Sequence, residues 1–300
     1  MEMLTVSHVY KRFGDRQVLD NLSFSVPEGS VYGFIGKNGA GKTTTMKTIL
    51  GLIAADSGEI TVNGASVSFG ENRTNRYIGY LPDVPEFYYY MTPAEYLTFC
   101  GEITGMRQER IKSRTAELLE LVGLAQEKKR IRGFSRGMKQ RLGIAQALLN
   151  QPKLLICDEP TSALDPIGRK EILDILIASK EQTTVLFSTH VLSDVERICD
   201  NVAFLQNGKI AQSGTIEQIK QMHPEAGFAV EFQQPKDCEQ LLQQFSGGRK
   251  VSDRHLIYEG KGEAGMSAIL QYVVANDLPI QKIERLEPTL ESMFLEVVNQ

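Results

Sequence analysis

The residues with the clearest chemical potential lie in a glycine-rich loop at positions 36–43. Its sequence, Gly-Lys-Asn-Gly-Ala-Gly-Lys-Thr, matches the pattern G-x-x-x-x-G-K-[ST], in which backbone N–H groups cradle phosphates. Lys42 would neutralise β- and γ-phosphate charge, and the Thr43 hydroxyl would ligate Mg²⁺. A plain glycine turn is the alternative, but an apolar strand is predicted at 31–35 and a helix at 42–52, which is the context that phosphate binding requires. The residues expected to contact a nucleotide are Gly36, Lys37, Asn38, Gly39, Ala40, Gly41, Lys42, Thr43 and Thr44.

Two adjacent carboxylates, Asp158 and Glu159, follow the apolar segment 154–157. The carboxyl ends of parallel strands are where such sheets bind ligands. We expect Asp158 to hold Mg²⁺ through water, and Glu159 to orient and deprotonate the attacking water. A solvated strand end before a turn at Pro160 is the alternative, and the phosphate loop upstream favours the functional interpretation.

His190 follows a strand predicted at 185–188. At that place it would donate a hydrogen bond to a γ-phosphate oxygen, although a histidine taken at random is more often structural than catalytic. Together with Glu159 and Lys42 it makes up the predicted catalytic set.

Strand and helix patterns alternate through the first two thirds of the chain, which predicts an α/β fold with a mainly parallel sheet. The period becomes helical from about 92 to 150, so a helical insertion is expected at about 88–150. Its first helix has a strong start signal at residues 92–95, Thr-Pro-Ala-Glu. Asp165 followed by proline predicts another helix start by the same logic.

A shift in composition near residues 213–227 indicates a boundary between two domains. We expect a core that carries the phosphate loop at 1–217, a linker at 218–227 and a small accessory α/β domain at 228–300. Within the last, the pattern predicts a strand at 251–259 and a short terminal helix at 290–298.

The composition is that of a globular protein and excludes several functional classes. The chain has 300 residues, of which 42% are apolar and 23% charged, so it can bury a core. A net charge of −4 argues against a general nucleic-acid binder. The four cysteines contain no C-x-x-C pair, which argues against a disulfide framework or a zinc site and fits a reducing cytosol. Because no run of 18 apolar residues occurs, no membrane-spanning helix is expected.

The order of several short motifs resembles that of the ATP-binding subunit of ABC transporters over residues 1–217. Phe13 occupies the place of the aromatic residue that stacks on adenine, although it could equally be a core residue. Residues 134–138 occupy the signature loop, residues 162–165 match the D-loop, and His190 stands in the place of the switch histidine. The resemblance implies a P-loop NTPase fold of the ABC ATPase type, with ATP and Mg²⁺ as cofactors and ATP hydrolysis as the reaction.

Two positions depart from the family pattern. The signature usually reads Leu-Ser-Gly-Gly-Gln, whereas residues 134–138 keep only Ser135 and Gly137 and have Arg136 in place of the first glycine. Ser135 and Gly137 are the two that could contact a γ-phosphate, so binding should survive. The Q-loop glutamine would fall at Asp83, which can reach Mg²⁺ directly or through water but adds negative charge beside the phosphates.

The resemblance also implies a second ATP-binding subunit, because the phosphate loop and the signature loop of this family face each other only across a dimer. Ser135 and Gly137 of one subunit would complete the site that Lys42 and Thr43 build in the other. Asp165 of the D-loop is also expected to contact the nucleotide. ATP would close the dimer, and hydrolysis would open it. We expect a homodimer, and a heterodimer stays open.

A chain without its own membrane span must use that of a partner. Residues 287–295 resemble the tail of ABC-2 type exporter subunits, including those of the bacitracin-resistance group. The resemblance implies an ABC-2 type membrane-spanning subunit, a drug, peptide or lipid-like cargo, and a cytoplasmic location on the inner face of the cell membrane. Four consecutive aromatic residues at 87–90 are either a docking patch for that subunit or local core packing. For the accessory domain we expect a regulatory or dimer-stabilising role.

An ABC ATPase that acts on ribosomes or DNA without a membrane partner is the main alternative. The ribosome-acting kind usually has two ATP cassettes in one chain, and the DNA-repair kind has a long coiled coil for which residues 52–134 leave no space. A P-loop GTPase is a third possibility, but the sequence has no Asn-Lys-x-Asp motif for reading guanine. We therefore expect no nucleic-acid partner.

Overall fold

The computed structural model describes residues 1–70, 73–222, 227–258, 262–286, 289–291 and 293–294. The chain divides into two compact units, Met1–Ile216 and Glu217–Gln300. The strands of the first unit are β1 (Glu2–Phe13), β2 (Arg16–Pro27), β3 (Val31–Gly36), β4 (Ser57–Val62), β5 (Ala65–Ser66), β6 (Ile78–Leu81), β7 (Leu154–Asp158), β8 (Thr184–Thr189), β9 (Asn201–Gln206) and β10 (Lys209–Thr215). Its helices are α1 (Lys42–Ile49), α2 (Pro93–Ile103), α3 (Gln108–Leu121), α4 (Arg136–Leu148), α5 (Pro166–Ser179) and α6 (Leu192–Ile198).

The described part of the first unit contains two β-sheets. The larger has the order β10-β9-β3-β8-β7-β6, and its strands are parallel except for the antiparallel pair β9–β10. This confirms the predicted α/β fold with a mainly parallel sheet. The other has the order β2-β1-β4-β5 and is antiparallel.

The central strands of the larger sheet are buried on both faces. Every residue of β3, β7 and β8 is buried, as their nearly continuous apolar sequences predict. A hydrophobic cluster joins Phe34 of β3 and Ile156 of β7 to Met46 of α1 and Leu22 of β2. The ends of β3 and β7, where the phosphate loop and the acidic pair begin, are therefore set by the core.

A helical insertion of α2, α3 and α4 lies between β6 and β7 in the sequence. The predicted start of α2 is confirmed: Glu95 N donates to Thr92 Oγ1 at 3.4 Å, and Thr92 N donates to Glu95 Oε2 at 2.8 Å. These reciprocal bonds satisfy donors that the first turn of a helix leaves free. The start of α5 is also confirmed, since Gly168 N donates to Asp165 Oδ1 at 2.9 Å. Among the described residues, no helix has the length and apolarity that a membrane span needs.

The second unit contains an antiparallel sheet of order β12-β13-β11-β14. Phe228, Val230 and Tyr258 of the sheet share a hydrophobic cluster with Leu241 and Ile269 of two helices. Its elements are α7 (Ile216–Met222), which begins at the unit boundary, β11 (Phe228–Phe232), α8 (Pro235–Gln244), β12 (Gly248–Ser252), β13 (His255–Tyr258), α9 (Gly262–Ala275) and β14 (Ile280–Arg285).

The accessory domain differs from the sequence expectation in two places. The single strand predicted at 251–259 is a hairpin, because the polar residues Asp253 and Arg254 form a turn between β12 and β13. The predicted linker at 218–227 begins inside α7, and its residues 223–226 lie outside the described part of the chain. Positions 292 and 295–298 of the predicted helix at 290–298 lie outside the described residues, as do 287, 288, 292 and 295 of the exporter-like tail at 287–295.

Candidate nucleotide site

The phosphate loop connects the end of β3 to the start of α1. Gly39 and Gly41 have φ angles of +83° and +114°, conformations that residues with side chains rarely adopt. A Cβ at Gly41 would lie 3.0 Å from Leu19 Cδ2 and 3.1 Å from Val18 O, so the position also needs glycine for space. No side chain caps α1, which leaves its first backbone N–H groups to an incoming anion.

An open cavity of about 490 Å³ lies over this loop, a volume within the range of small-molecule sites. It brings together many of the residues selected from the sequence: Phe13, Asn38, Gly39, Gly41, Lys42, Thr43, Thr44, Asp83, Glu159 and His190. Arg16, Val18 and Ser162 also line it, and the sequence analysis gave them no role. Arg16 follows Phe13 closely and Ser162 belongs to the D-loop motif, so proximity to these motifs was the available signal.

Glu159 lies between the two other predicted catalytic groups. Its Oε2 is 2.9 Å from His190 Nδ1, and its Oε1 is 2.9 Å from Lys42 Nζ. The contact with Lys42 is an ion pair whose angles do not make a hydrogen bond, so Oε1 keeps its capacity to accept one. Oε1 is buried beside Lys42, so the structure does not single out one of the two carboxylate oxygens as the acceptor for an attacking water.

The backbone of Glu159 is held in a strained conformation. Its φ is +48°, which costs on the order of 1–3 kcal/mol for a residue other than glycine. The Glu159 N–H compensates in part by donating to Ser188 O at 3.1 Å and to Ser188 Oγ at 3.2 Å. Strand β8 thus fixes the direction in which the carboxylate leaves β7.

Asp158 is buried, with 2% of its surface exposed, and is not among the residues that line the cavity. Ser188 Oγ donates to its Oδ1 at 2.6 Å. Burial, and to a lesser degree the nearby Asp158 carboxylate, raises the pKa of Tyr80 and of Cys157. Both side chains therefore stay neutral beside that carboxylate. A carboxylate and the Thr43 hydroxyl form the hard oxygen donor set that suits Mg²⁺, which keeps several of its ligands from water and phosphate. These residues therefore fit the ion.

Phe13 is 49% exposed, so the alternative that it is a core residue is wrong. It lies at the end of β1 on the rim of the cavity. Lys11 Nζ lies 5.3 Å from the centre of its ring, in a cation–π contact.

Asp83 also lines the cavity, just beyond the end of β6. Its Oδ1 is 3.2 Å from Arg136 Nη2, and its backbone carbonyl accepts a 2.7 Å hydrogen bond from Gln140 Nε2. The carboxylate at the Q-loop position thus contacts the signature loop of its own chain, a contact that the sequence did not indicate.

The signature-loop residues Ser135 and Gly137 and the D-loop residue Asp165 lie outside this cavity. Ser135 Oγ accepts a hydrogen bond from Met138 N at 3.2 Å and caps α4, while Asp165 caps α5. Gly137 has open surroundings, since a Cβ there would meet nothing closer than Leu164 at 3.8 Å. Of the residues selected from the sequence, these do not line the cavity: Gly36, Lys37, Ala40, Ser135, Gly137, Asp158 and Asp165.

Comparison with known proteins agrees with this geometry. Residues 19–162 match the family described as ABC transporter, and residues 214–298 match the one described as ATP-binding protein DrrA1-3-like, C-terminal domain. The uncharacterised ABC transporter ATP-binding protein YxlF of Bacillus subtilis is 38% identical over 99% of this chain and 100% of its own length. The bacitracin transport ATP-binding protein BcrA of Bacillus licheniformis is 35% identical over 99% of this chain and 97% of its own.

A solved structure of an ABC transporter ATP-binding subunit has the same fold as the first unit. It superposes with a TM-score of 0.66 at 33% identity, covering 73% of this chain and 92% of the other. The phosphate loop, the acidic strand end and the histidine lie around one cavity, as a P-loop ATPase requires. The chain belongs to the ATP-binding proteins of ABC transporters and is an ATPase of that family.

Proposed function

We propose that this ATPase powers export through an ABC-2 type membrane-spanning subunit, working as a pair of ATP-binding subunits on the inner face of the cell membrane. The observation that carries the proposal is the cavity around Lys42, Glu159 and His190, from which Ser135 and Gly137 of the same chain are absent. The phosphate loop and the proposed base lie at the cavity, whereas the signature loop of the same chain does not line it. We therefore infer that the signature loop of a second chain completes the site.

The reaction proposed at this site is attack of water on the γ-phosphate of ATP. The N-terminus of α1 and Lys42 bind the phosphates, and the Glu159 carboxylate accepts a proton from the water as its oxygen bonds to the γ-phosphorus. The bond from the γ-phosphorus to the bridging oxygen breaks at the same centre, and that oxygen leaves with ADP. His190 donates to a γ-phosphate oxygen and stabilises its charge. Thr43 and Asp158 would hold Mg²⁺, which when bound would supply positive charge to offset that of the phosphates. ADP and inorganic phosphate are the products.

Closure of the dimer is the proposed link between ATP and transport. Ser135 and Gly137 of the second subunit would contact the γ-phosphate, so ATP bridges the two subunits. Hydrolysis removes that bridge and adds charge repulsion, which opens the pair. The free energy of ATP binding is thereby converted into a two-state motion that a membrane partner can follow.

Exposed tyrosines next to the Q-loop position support a docking role for the aromatic segment. Tyr88, Tyr89 and Tyr90 are 49%, 39% and 63% exposed, whereas Phe87 is buried, with its ring 5.1 Å from that of Tyr96. Phe87 therefore belongs to local packing, and the three tyrosines form a surface that suits an apolar helix of a partner.

The cargo is inferred from relatives. BcrA is a bacitracin transport protein by its printed name and matches this chain almost from end to end, so the accessory domain is shared as well. We infer a drug, peptide or lipid-like cargo for this transporter. A regulatory or dimer-stabilising role is proposed for the accessory domain.

Affinity purification of tagged chain from gently solubilised membranes of its source tests the proposal. A polytopic membrane protein recovered at comparable stoichiometry, and lost in Tyr90→Ala, is the expected result. Phe69→Ala serves as the control, because Phe69 is 65% exposed but lies outside the tyrosine surface. Recovery with ribosomes or DNA and without membrane protein would instead support the alternative class of ABC ATPase.

A further inference from the structure

The two positions that depart from the family pattern are in contact with each other. Asp83 stands where the Q-loop glutamine is usual, and Arg136 stands where the signature loop usually has glycine. Their side chains form an ion pair at 3.2 Å, 47% and 42% exposed respectively. The carboxylate of this pair lines the same cavity as Lys42 and Thr43.

A second contact fixes the backbone beside this ion pair. Gln140 Nε2 donates to the backbone carbonyl of Asp83 at 2.7 Å, and Gln140 is fully buried. Arg136 and Gln140 are four residues apart in α4 and lie on one face of the helix. The buried amide therefore holds the end of β6 against α4, while the exposed ion pair is open to competition from water, ions and ligands.

The charges at this contact balance each other. Arg136 is the first residue of α4, whose first turn contains no acid, and a cation at the N-terminus of a helix is unfavourable. Asp83 supplies the missing negative charge. In return, the guanidinium offsets the negative charge that Asp83 brings to a cavity built for phosphates.

We propose that Asp83 and Arg136 are one compensated pair, in which Arg136 is a positioning residue that keeps the Asp83 carboxylate from opposing the γ-phosphate. The pair replaces a neutral glutamine and a glycine with two opposite charges and keeps the sum at zero. It also joins a residue that lines the cavity to the signature loop of the same chain. The proposal rests on the proposed ATP site.

A double-mutant cycle on the full-length chain tests the pair. Calorimetric titration with MgATP and MgADP is carried out on the native chain, Asp83→Gln, Arg136→Gln and the double variant. We expect Arg136→Gln to weaken MgATP binding about threefold to fivefold, the effect of losing an exposed ion pair, with a smaller loss for MgADP, which lacks the γ-phosphate. In the Asp83→Gln background the same change should alter affinity less than twofold.

Three further measurements separate this role from a merely structural one. Arg136→Lys should restore most of the affinity because it keeps the charge. About 1 M KCl should reduce the coupling, because salt screens exposed charges. The matched control is the ion pair of Asp174 and Arg197, which lies outside the cavity. Its side chains are 2.8 Å apart and are 50% and 39% exposed. Replacing either residue by glutamine should leave nucleotide affinity unchanged.

The outcomes are distinguishable. Equal effects of Arg136→Gln in the native and Asp83→Gln backgrounds, with thermal unfolding unchanged, would overturn the pair while leaving the ATP site intact. Failure of the native chain itself to bind MgATP would overturn the proposed function instead.

Discussion

Glu159 is the residue at which backbone and side chain are most constrained. Its φ of +48° and its two bonds to Ser188 set the direction of the carboxylate, and Lys42 and His190 contact one oxygen each. These contacts leave the Glu159 side chain little conformational freedom. Its geometry suits a base that must meet one water in one place.

Replacing Glu159 by glutamine should separate binding from hydrolysis. The amide keeps the shape but cannot accept the proton, so we expect steady-state ATPase to fall by at least about a hundredfold while ATP binding is retained. Glu171→Gln is the matched control and should keep full activity. It removes an exposed carboxylate of α5 that pairs with Arg141 of α4. Unchanged ATPase in Glu159→Gln would rule out this base.

The two requirements for glycine at position 41 can be tested separately. Gly41→Ala faces both a φ of +114° and contacts of 3.0–3.1 Å, so we expect nucleotide affinity to fall at least about tenfold. Gly29→Ala has a φ of +72° but open space, so it should cost about 1–2 kcal/mol of stability and leave affinity unchanged. Titration with MgATP and urea unfolding measure the two quantities, and equal affinity loss in both variants would contradict the steric argument.

The sequence predicts best those site residues that are contiguous. The phosphate loop is recognisable because its spacing alone builds its geometry, and the cavity does form over it. The contact between Asp83 and Arg136 joins positions 53 residues apart, and it depends on how α4 packs against β6. No local pattern encodes that packing, so the contact could not be predicted from either residue alone.

At the scale of elements, the caps were more predictable than the strand pairings. Thr92 and Asp165 signal helix starts by bonds within one turn, and both bonds are present. The hairpin at β12 and β13 was missed because its turn at Asp253 and Arg254 interrupts an otherwise strand-like stretch without a glycine. Ser252 and Asp253 are residue types that turns favour, and Arg254 N donates to Ser252 Oγ at 3.4 Å, so a weak turn signal was present in the sequence.

A buried carboxylate on α6 should make stability depend on pH. Burial raises the pKa of Asp194, against the lowering effect of its bond from Thr161 Oγ1 at 2.7 Å and of Arg169, Arg197 and His190 nearby. A folded-state pKa above the unfolded one means that this group favours folding most at low pH, and that its contribution is lost as pH rises through the folded-state value.

Asp194→Asn removes this dependence. We expect the variant to become more stable relative to the native chain as the pH is raised from about 4, near the unfolded-state pKa, through the raised folded-state pKa. Urea unfolding at several pH values measures the difference. A difference that is constant or falls with pH would contradict the sign given by burial.

At the scale of the whole molecule, the proposed dimer implies that one chain holds only part of the nucleotide site. In the proposed dimer, the backbone at Gly137 must approach the γ-phosphate bound by the other subunit. A Cβ there meets nothing closer than 3.8 Å within its own chain, so Gly137→Ala should fold normally and obstruct only the partner. We expect it to abolish the MgATP-dependent dimer of the Glu159→Gln chain, as measured by light scattering.

Gly133→Ala is the control for this test. Gly133 precedes the same loop, and a Cβ there has nothing within 4 Å, so dimer formation should persist. If the Gly137→Ala chain formed the dimer at the same ATP concentrations as the chain with Gly137, the proposed contact across the subunits would be wrong.

Through its ion pair with Lys42, the proposed base Glu159 would compete with the γ-phosphate for the same ammonium group. The ammonium already has a carboxylate at 2.9 Å, and the γ-phosphate must displace that anion before it can bind. Removing the charge at position 159 should therefore tighten the binding of a non-hydrolysable ATP analogue, independently of any loss of turnover. A hydrolysis-deficient chain would then accumulate with ATP bound for two separate reasons: it binds ATP more tightly, and it hydrolyses ATP more slowly.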